Sequence, residues 1–289
     1  MTRPGRRPPA ATFNGRRVLT LESRRSPELA LLIMNYGGTP IEAPSICEVP
    51  LESNQHVVAF AEDVMRGRFE IVTLMTGVGV RMMMKVIEPG GNRERFVQAL
   101  GASRIAARGP KPVAALRELG LTPWVTAPSP NTWRELISVL DAQAQHVPLA
   151  GRRVAVQEYG LPNSELIDAL EARGAEVTTV PIYRWAMPDD VEPLRGAVRA
   201  LVTDSVDVIV LTAGIQLVHL LKVAEQMDQE QAVRDSLSRV VIGSVGPMTS
   251  EELRRHHLPI DFEPSHPKMG FLVKELAEQC DALCRSKHD

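Results

Sequence analysis

The sequence has few cysteines, little aromatic content, no excess of one charge and no long apolar run. Three cysteines occur in 289 residues, Cys47, Cys280 and Cys284, too few and too irregularly spaced for a disulfide framework or a zinc site. A formal net charge of −2 argues against a general nucleic-acid or membrane-surface binder. No apolar run is long enough to span a bilayer. We therefore expect neither nucleic acid nor a membrane as a partner.

The familiar motifs of metal, cofactor and hydrolase sites are missing as well. The seven histidines never form HxxxH or HxH, so no metal site is indicated. No glycine-rich loop reads GxGxxG or GxxxxGK[ST], and no serine lies in GxSxG. Residues 1–14 are basic and proline-rich but lack the apolar core of a signal peptide. We predict that they form a disordered tail on a cytoplasmic protein.

What the sequence does contain is a strand, helix and strand between Gly151 and Pro188. Arg153–Gln157 is a short apolar run, and Asn163 then offers a side-chain oxygen to the first amides of a helix. Gly174 supplies a left-handed helix end, and Glu176–Tyr183 is β-branched and extended. The pattern predicts a βαβ unit with parallel strands.

The same unit occurs earlier in the chain. Gly15–Pro50 opens with the same Gly-Arg-Arg-Val as Gly151–Pro188. Similar landmarks follow each copy at nearly the spacing that separates Gly15 from Gly151: Phe69 and Val206, Ser103 and Ser238, Pro128 and Pro264. The chain is therefore predicted to be a duplicated α/β unit, with strands alternating with helices in parallel sheets. The period by itself suggests two consecutive domains, 15–150 and 151–285.

In parallel α/β sheets, ligands bind where strands end and helices begin. Six loops rich in small residues are predicted there: Glu22–Ser26, Thr76–Val80, Gly109–Pro112, Gln157–Ser164, Thr212–Gln216 and Gly246–Thr249. Backbone amides in such loops can bind carboxylates or phosphates. The alternative is that the glycines only satisfy turn geometry.

From about Arg17 to about Leu283 the sequence resembles the uroporphyrinogen-III synthase family. The resemblance lies in the order of several loose motifs: Arg17–Ile46, Thr76–Arg81, Gly109–Gly120, Val180–Arg184, Ile242–Thr249 and Pro267–Leu272. It implies two interlocked, flavodoxin-like lobes rather than consecutive domains. One lobe would contain 15–47 and 188–289, and the other 50–183. Extended segments near Pro44–Pro50 and Tyr183–Pro188 would form a two-segment hinge.

The resemblance also implies a reaction. Members cyclise hydroxymethylbilane, a linear tetrapyrrole, to uroporphyrinogen III in a cleft between the lobes, with inversion of ring D. This implies a cofactor-free lyase of tetrapyrrole and heme biosynthesis, acting as a cytoplasmic monomer. Handover of the bilane from hydroxymethylbilane synthase is a further expectation.

The family motifs place candidate site residues in this chain. Tyr183 matches a phenol that would assist loss of the hydroxyl or fix the substrate, although it could instead be an aromatic residue packed at the hinge. Implied substrate contacts are Thr76, Gly109, Asn163, Thr212, Gly246, Thr249 and Arg24. Helix N-capping is the competing role for the three threonines.

The chain departs from the family pattern at three places in the predicted site. Glu22 stands where arginine is common, Pro112 replaces a threonine, and Gln157-Glu158-Tyr159 lies where an arginine-glycine pair is usual. A carboxylate at Glu22 would repel an acidic substrate. Two functions therefore remain open: an active synthase, favoured by Tyr183 and Thr249, and a synthase-like protein without catalysis. The second would bind an anionic small molecule or a regulatory partner.

Overall fold

A computed structural model describes residues 11–50, 55–158, 160 and 163–287. The strands are β1 (Arg17–Thr20), β2 (Thr39–Glu42), β3 (Cys47–Pro50), β4 (Ile71–Leu74), β5 (Arg104–Ala107), β6 (Val125–Thr126), β7 (Arg153–Gln157), β8 (Glu176–Val180), β9 (Tyr183–Ala186), β10 (Val208–Leu211) and β11 (Val241–Ser244). The helices are α1 (Ser26–Asn35), α2 (Gln55–Met65), α3 (Gly77–Ile87), α4 (Arg93–Ala102), α5 (Pro110–Glu118), α6 (Trp133–Asp141), α7 (Ser164–Glu171), α8 (Glu192–Val202), α9 (Gly214–Gln226), α10 (Glu230–Arg239), α11 (Pro247–Arg255) and α12 (Met269–Ser286). A short 3₁₀ turn, Glu88–Gly90, follows α3.

The chain divides into two compact units. Unit 1 contains Met1–Cys47 and Ala186–Asp289, and unit 2 contains Glu48–Trp185. The chain thus leaves unit 1 once and returns to it once. At these two places β3 and β9 form a two-stranded sheet.

Unit 1 is built on a parallel sheet in the order β11-β10-β1-β2. Val18 pairs with Val208 and Leu19 with Ile209. Because successive side chains in a strand point to opposite faces, Val18 packs in one apolar cluster and Leu19 in another. Both faces of the sheet are covered, as the near-continuous apolar strands require.

Unit 2 has a parallel sheet of five strands in the order β6-β5-β4-β7-β8. Ile71 and Val72 again enter different apolar clusters, one on each face. When its strands are counted from the βαβ unit (β7, β8, β4, β5, β6), this sheet has the flavodoxin-like order 2-1-3-4-5, whereas in chain order it reads 3-2-1-4-5. The predicted α/β class with two parallel sheets is confirmed.

The two sequence copies exchange their βαβ units. β1 and β2 come from the first copy, and β1 pairs with β10 of the second copy. β7 and β8 come from the second copy, and β7 pairs with β4 of the first copy. Each sheet therefore contains one βαβ unit from one copy and the remaining strands from the other.

The predicted disordered tail is wrong for residues 11–14, and residues 1–10 lie outside the described residues. Phe13 is fully buried in the apolar cluster beneath α12. Its N–H donates to the carbonyl of Tyr36 at 2.7 Å, and the N–H of Thr12 donates to that of Ala277 at 3.2 Å. Burial of the Phe13 side chain holds residues 11–14 in a defined position.

Candidate functional site

The candidate residues fall into both units, and each unit has its own strand-end site. Unit 2 contains Thr76, Gly109, Asn163 and Tyr183, and unit 1 contains Arg24, Thr212, Gly246 and Thr249. In a sheet of this order the chain turns opposite ways after the two central strands, and this opens a crevice at their carboxyl ends. The strand pairs at which the fold favours such a crevice are β4 and β7 in unit 2, and β10 and β1 in unit 1.

Thr76 and Tyr183 meet at the end of β4. Thr76 is the N-cap of α3, and its Oγ1 accepts a hydrogen bond from the N–H of Gly79 at 3.0 Å. The same Oγ1 lies 3.4 Å from the phenol oxygen of Tyr183. The ring of Tyr183 is only 4% exposed and packs in the apolar cluster that contains Phe60. The N-capping role predicted for Thr76 is confirmed, and its hydroxyl also contacts the phenol.

Gln157 occupies the amides next to this pair. Its side chain is 1% exposed, and its Oε1 accepts hydrogen bonds from the N–H groups of Met75 and Thr76, both at 3.2 Å. Gly79 makes this possible, since a Cβ there would lie 2.1 Å from Nε2 of Gln157. From the sequence, Gln157 is only a departure from the family pattern. In the structure its side-chain oxygen accepts hydrogen bonds from two backbone N–H groups, which could otherwise bind an anionic group.

Glu158 follows Gln157 and is half-buried. Burial raises the pKa of its carboxyl above the usual glutamate range. Its N–H donates to the carbonyl of Val180 at 3.0 Å. Among the residues that the structure describes, none gives the carboxyl a hydrogen bond or an ion pair.

Gly109 and Asn163 begin two more of the helices at this end of unit 2. Asn163 is buried and caps α7, accepting from the N–H of Leu166 at 3.0 Å, as predicted. Gly109 precedes α5, and a Cβ there would lie 2.6 Å from Oδ1 of Asn131. A larger residue at position 109 would have to displace the Asn131 side chain, whatever else the amide of Gly109 does.

In unit 1 Thr212 is held between Glu22 and Gln216. Its hydroxyl donates to the Glu22 carboxylate and accepts from Nε2 of Gln216 at 2.8 Å. Oε1 of Gln216 accepts from the N–H groups of Thr212 and Ala213 at 2.8 and 3.2 Å. The N-capping alternative for Thr212 is wrong, because Ala213 is the residue that precedes α9. The sequence predicts that Glu22 repels an acidic substrate. In the structure its carboxylate accepts hydrogen bonds from the Thr212 hydroxyl and, at 3.2 Å, from the N–H of Arg25.

Gly246, Thr249 and Arg24 complete the candidates of unit 1. Gly246 is the N-cap residue of α11, and Thr249 lies inside that helix at 3% exposure. N-capping is therefore wrong for Thr249 too, and its N–H donates to the carbonyl of Gly246 at 3.1 Å. Arg24 is exposed on the loop that precedes α1.

Two broader features bear on function. Within the described ranges, no three His, Cys, Asp or Glu side chains gather as a metal site would need. The same part of the chain holds no helix with the length and apolar character needed to cross a membrane.

Comparison with known proteins gives consistent results. Residues 27–274 match the sequence family described as Uroporphyrinogen-III synthase HemD. The chain is 30% identical to Uncharacterized protein YjjA of Bacillus subtilis (strain 168) over 268 residues, covering 91% of this chain and 96% of that protein.

Two crystal structures of uroporphyrinogen III synthase from Thermus thermophilus are similar to this fold. A mutant form has 25% identity and a TM-score of 0.69, covering 94% of this chain and all of that one. The wild type in another crystal form has 26% identity and a TM-score of 0.53, covering 95% and 100%.

Proposed function

The chain belongs to the uroporphyrinogen-III synthase family, and from that premise we propose that it converts hydroxymethylbilane to uroporphyrinogen III with inversion of ring D. The family catalyses a lyase reaction of the tetrapyrrole pathway. The conversion loses water and rearranges carbon–carbon bonds without net oxidation, so the proposal includes no cofactor. We further propose that the protein acts as a cytoplasmic monomer that receives the bilane from hydroxymethylbilane synthase.

The reaction places two demands on the protein. The bilane loses its hydroxyl to give an azafulvene, and the terminal ring attacks through its substituted carbon. The resulting spiro intermediate fragments, and the ring recombines in the opposite orientation. Because the pyrroles are reactive by themselves, the protein must chiefly hold a flexible chain in one geometry. It must also stabilise the departing hydroxyl.

The pairing of Tyr183 and Thr76 is the observation that carries the proposal. Their hydroxyl oxygens lie 3.4 Å apart at the carboxyl end of β4, beside the crevice of unit 2. Thr76 is fixed by its bond to Gly79, and Tyr183 by burial of its ring, so the phenol has a defined position. A phenol held in this way can donate a hydrogen bond to a leaving hydroxyl.

The substrate's carboxylates need donors elsewhere. We propose that the loops at Gly109, Asn163 and Gly246 supply backbone amides, and that Arg24 pairs with a propionate. Thr212 and Thr249 would add hydroxyl contacts. The amides of Met75 and Thr76 are less suitable, because Gln157 already accepts from both.

A second candidate function is a synthase-like protein that binds a small molecule or a partner without catalysis. The network of Glu22, Thr212 and Gln216 favours it, since a carboxylate holds the hydroxyl expected to bind substrate. Gln216 also fills the two amides at the end of β10.

A coupled assay separates the two functions. Hydroxymethylbilane is generated in situ, the protein is added, and the oxidised porphyrin isomers are separated by chromatography. Without an enzyme the bilane closes to isomer I. A dominant isomer III product is expected, whereas isomer I alone from folded protein would overturn the synthase proposal and favour the binding function.

A further inference from the structure

Glu158 has a half-buried carboxyl, and the proposed synthase reaction as described so far gives it no role. It lies at the carboxyl end of β7, in the position where flavodoxin-like sheets open their ligand crevice. In the part of the chain that the structure describes, no side chain or backbone N–H pairs with its carboxyl. Half-buried carboxyls usually have such partners, and their absence in a crevice is typical of functional groups.

The backbone around Glu158 runs beside the segment that carries Tyr183. The N–H of Glu158 donates to the carbonyl of Val180 at 3.0 Å, and Gly160 pairs with Arg184 in parallel. Glu158 and Gly160 thus lie along residues 180–184, which include Tyr183. On the other side, Gln157 links the same strand end to Thr76, the hydrogen-bond partner of Tyr183.

The sequence duplication provides an internal comparison. Glu22 follows β1 as Glu158 follows β7, and the two glutamates are as far apart in the chain as the opening glycines of the two copies. Both carboxylate oxygens of Glu22 accept hydrogen bonds, one from Thr212 and one from the N–H of Arg25. The fold therefore uses the first glutamate as a structural acceptor, whereas the described residues give the carboxyl of the second no such partner.

We propose that Glu158 is a catalytic acid–base residue, which protonates the departing hydroxyl of the bilane and later recovers a proton from the closing ring. The proposal rests on the synthase function proposed above. Of the Glu158 carboxyl and the Tyr183 phenol, the carboxyl is the stronger acid, because phenols ordinarily ionise near pH 10 and carboxyls near pH 4. Tyr183 would then orient the hydroxyl that Glu158 protonates.

The proton balance is closed within one turnover. The Glu158 carboxylic acid gives its proton to the hydroxyl oxygen, the C–O bond breaks with its electron pair, and water leaves. The remaining azafulvenium cation is attacked by the terminal pyrrole, which forms the carbon–carbon bond. The spiro intermediate then breaks the bond between that ring's substituted carbon and its original methylene bridge, and the ring's free α-carbon bonds to the released methylene. This α-carbon loses its proton to the Glu158 carboxylate, and the ring becomes aromatic again. No electrons are gained or lost.

Burial supports this role. It raises the pKa of Glu158, so that more of the carboxyl is protonated near neutral pH than for an exposed glutamate. The acid form should dominate below that pKa and disappear as pH rises through it. Turnover is therefore expected to fall on the alkaline side.

The test compares Glu158→Gln, Glu158→Asp and the control Glu171→Gln in the coupled assay from pH 5 to 9. Glu171 is an exposed residue of α7 in the same unit. We expect Glu158→Gln to lower isomer III formation by about 10²-fold and to abolish the alkaline fall. Glu158→Asp should keep that fall at a reduced rate, and Glu171→Gln should match the wild type.

A ¹³C NMR titration of the glutamate carboxyls provides a readout independent of turnover, with Glu158 assigned from its missing signal in Glu158→Gln. A wild-type protein that forms only isomer I would remove the synthase function and this role together. A wild type that forms isomer III, with Glu158→Gln equally active and equally pH-dependent, would overturn this role alone. So would a Glu158 carboxyl that titrates like an exposed glutamate.

Discussion

At the scale of single residues, the exchange between copies is marked by two matching ion pairs. Arg17 at the start of β1 binds Asp207 ahead of β10, with Nη2–Oδ1 at 2.7 Å and its own N–H to Oδ2 at 2.8 Å. Arg153 at the start of β7 binds Glu70 ahead of β4 in the same way, with Nη2–Oε1 at 3.0 Å. Each pair joins a strand of one copy to a strand of the other.

Asp207→Asn is expected to lower the free energy of unfolding by about 1–2 kcal/mol at pH 7, because it weakens charge-assisted hydrogen bonds in a partly exposed pair. Hydrogen bonds from Arg17 lower the pKa of Asp207 in the folded protein. The ionised form therefore stabilises the fold above the unfolded pKa, and this contribution is lost as pH falls through the folded pKa. Urea unfolding at pH 7 and at pH 3 measures both effects.

The control is Asp141→Asn, which weakens the more exposed pair with Arg173. We expect it to cost less than about 1 kcal/mol. Equal costs for the two substitutions, or a cost for Asp207→Asn that does not shrink in acid, would contradict the assigned role of the Arg17 pair.

Tyr183→Phe should slow isomer III formation by about 10²-fold, because the ring stays packed while the hydroxyl that contacts Thr76 is lost. Chromatography of the porphyrin isomers measures the rate, and thermal unfolding should show a folded protein. Tyr36→Phe, in unit 1, is the matched control and should retain activity. Unchanged turnover in Tyr183→Phe would remove the role of Tyr183 but leave the family assignment intact.

At the scale of elements, α3 and α9 begin in related ways. In each unit a buried glutamine accepts from two successive backbone N–H groups after the central strand, at positions 75 and 76 in one and 212 and 213 in the other. The glutamine comes from the neighbouring strand in unit 2 and from the helix itself in unit 1. The two copies thus satisfy the same donors with side chains from different places.

Gly79→Ala is expected to destabilise the protein by about 1–3 kcal/mol, because the new Cβ would displace Gln157 and leave buried amides without an acceptor. Gly196→Ala is the control: Gly196 lies in α8, and no atom lies within 4 Å of its added Cβ. It should stabilise by about 0.5–1 kcal/mol. Chemical denaturation measures both, and equal effects would refute the close packing of Gly79 on Gln157.

The helices and strands, and the residues that cap them, show which features can be predicted from the sequence. Periodicity and capping residues predict most helices and strands, and the Asn163 cap is confirmed, since local chemistry fixes it. The roles of Gln157 and Glu22 are not predicted, because each depends on a partner from a distant strand or loop. The burial of Phe13 is missed for the same reason, as its cavity is formed partly by α12.

At the scale of the whole molecule, the repeat predicts the two copies but not which strands pair. A constant spacing between the copies fits two consecutive domains equally well. Only the resemblance to a family indicates the exchange, and the strand pairs β1–β10 and β4–β7 are what the structure adds. The matched pairs Arg17–Asp207 and Arg153–Glu70 do not indicate the exchange in the sequence, because each copy places opposite charges at the same two positions and pairing within a copy would satisfy them equally well.

A fragment of residues 48–185 is expected to unfold cooperatively by itself, because unit 2 is continuous in sequence and contains every strand of its five-stranded sheet. A fragment of residues 15–150, of similar length and cut at the repeat boundary, lacks β7 and β8 and should not. Thermal unfolding followed by circular dichroism compares them. A cooperative transition in 15–150 but not in 48–185 would contradict the division into units.

The exchange of βαβ units has a consequence for how the protein is made on the ribosome. β1 leaves the exit tunnel first, yet Val208, the partner of Val18, belongs to the last third of the chain. At about 5–20 residues per second, β1 waits roughly 10–40 s for β10 to be synthesised. Meanwhile β4, the counterpart of β10 in the first copy, is already present as a wrong partner. Completion of unit 2 by β7 closes that edge before β10 is synthesised, so the wrong pairing is open only in the interval between β4 and β7.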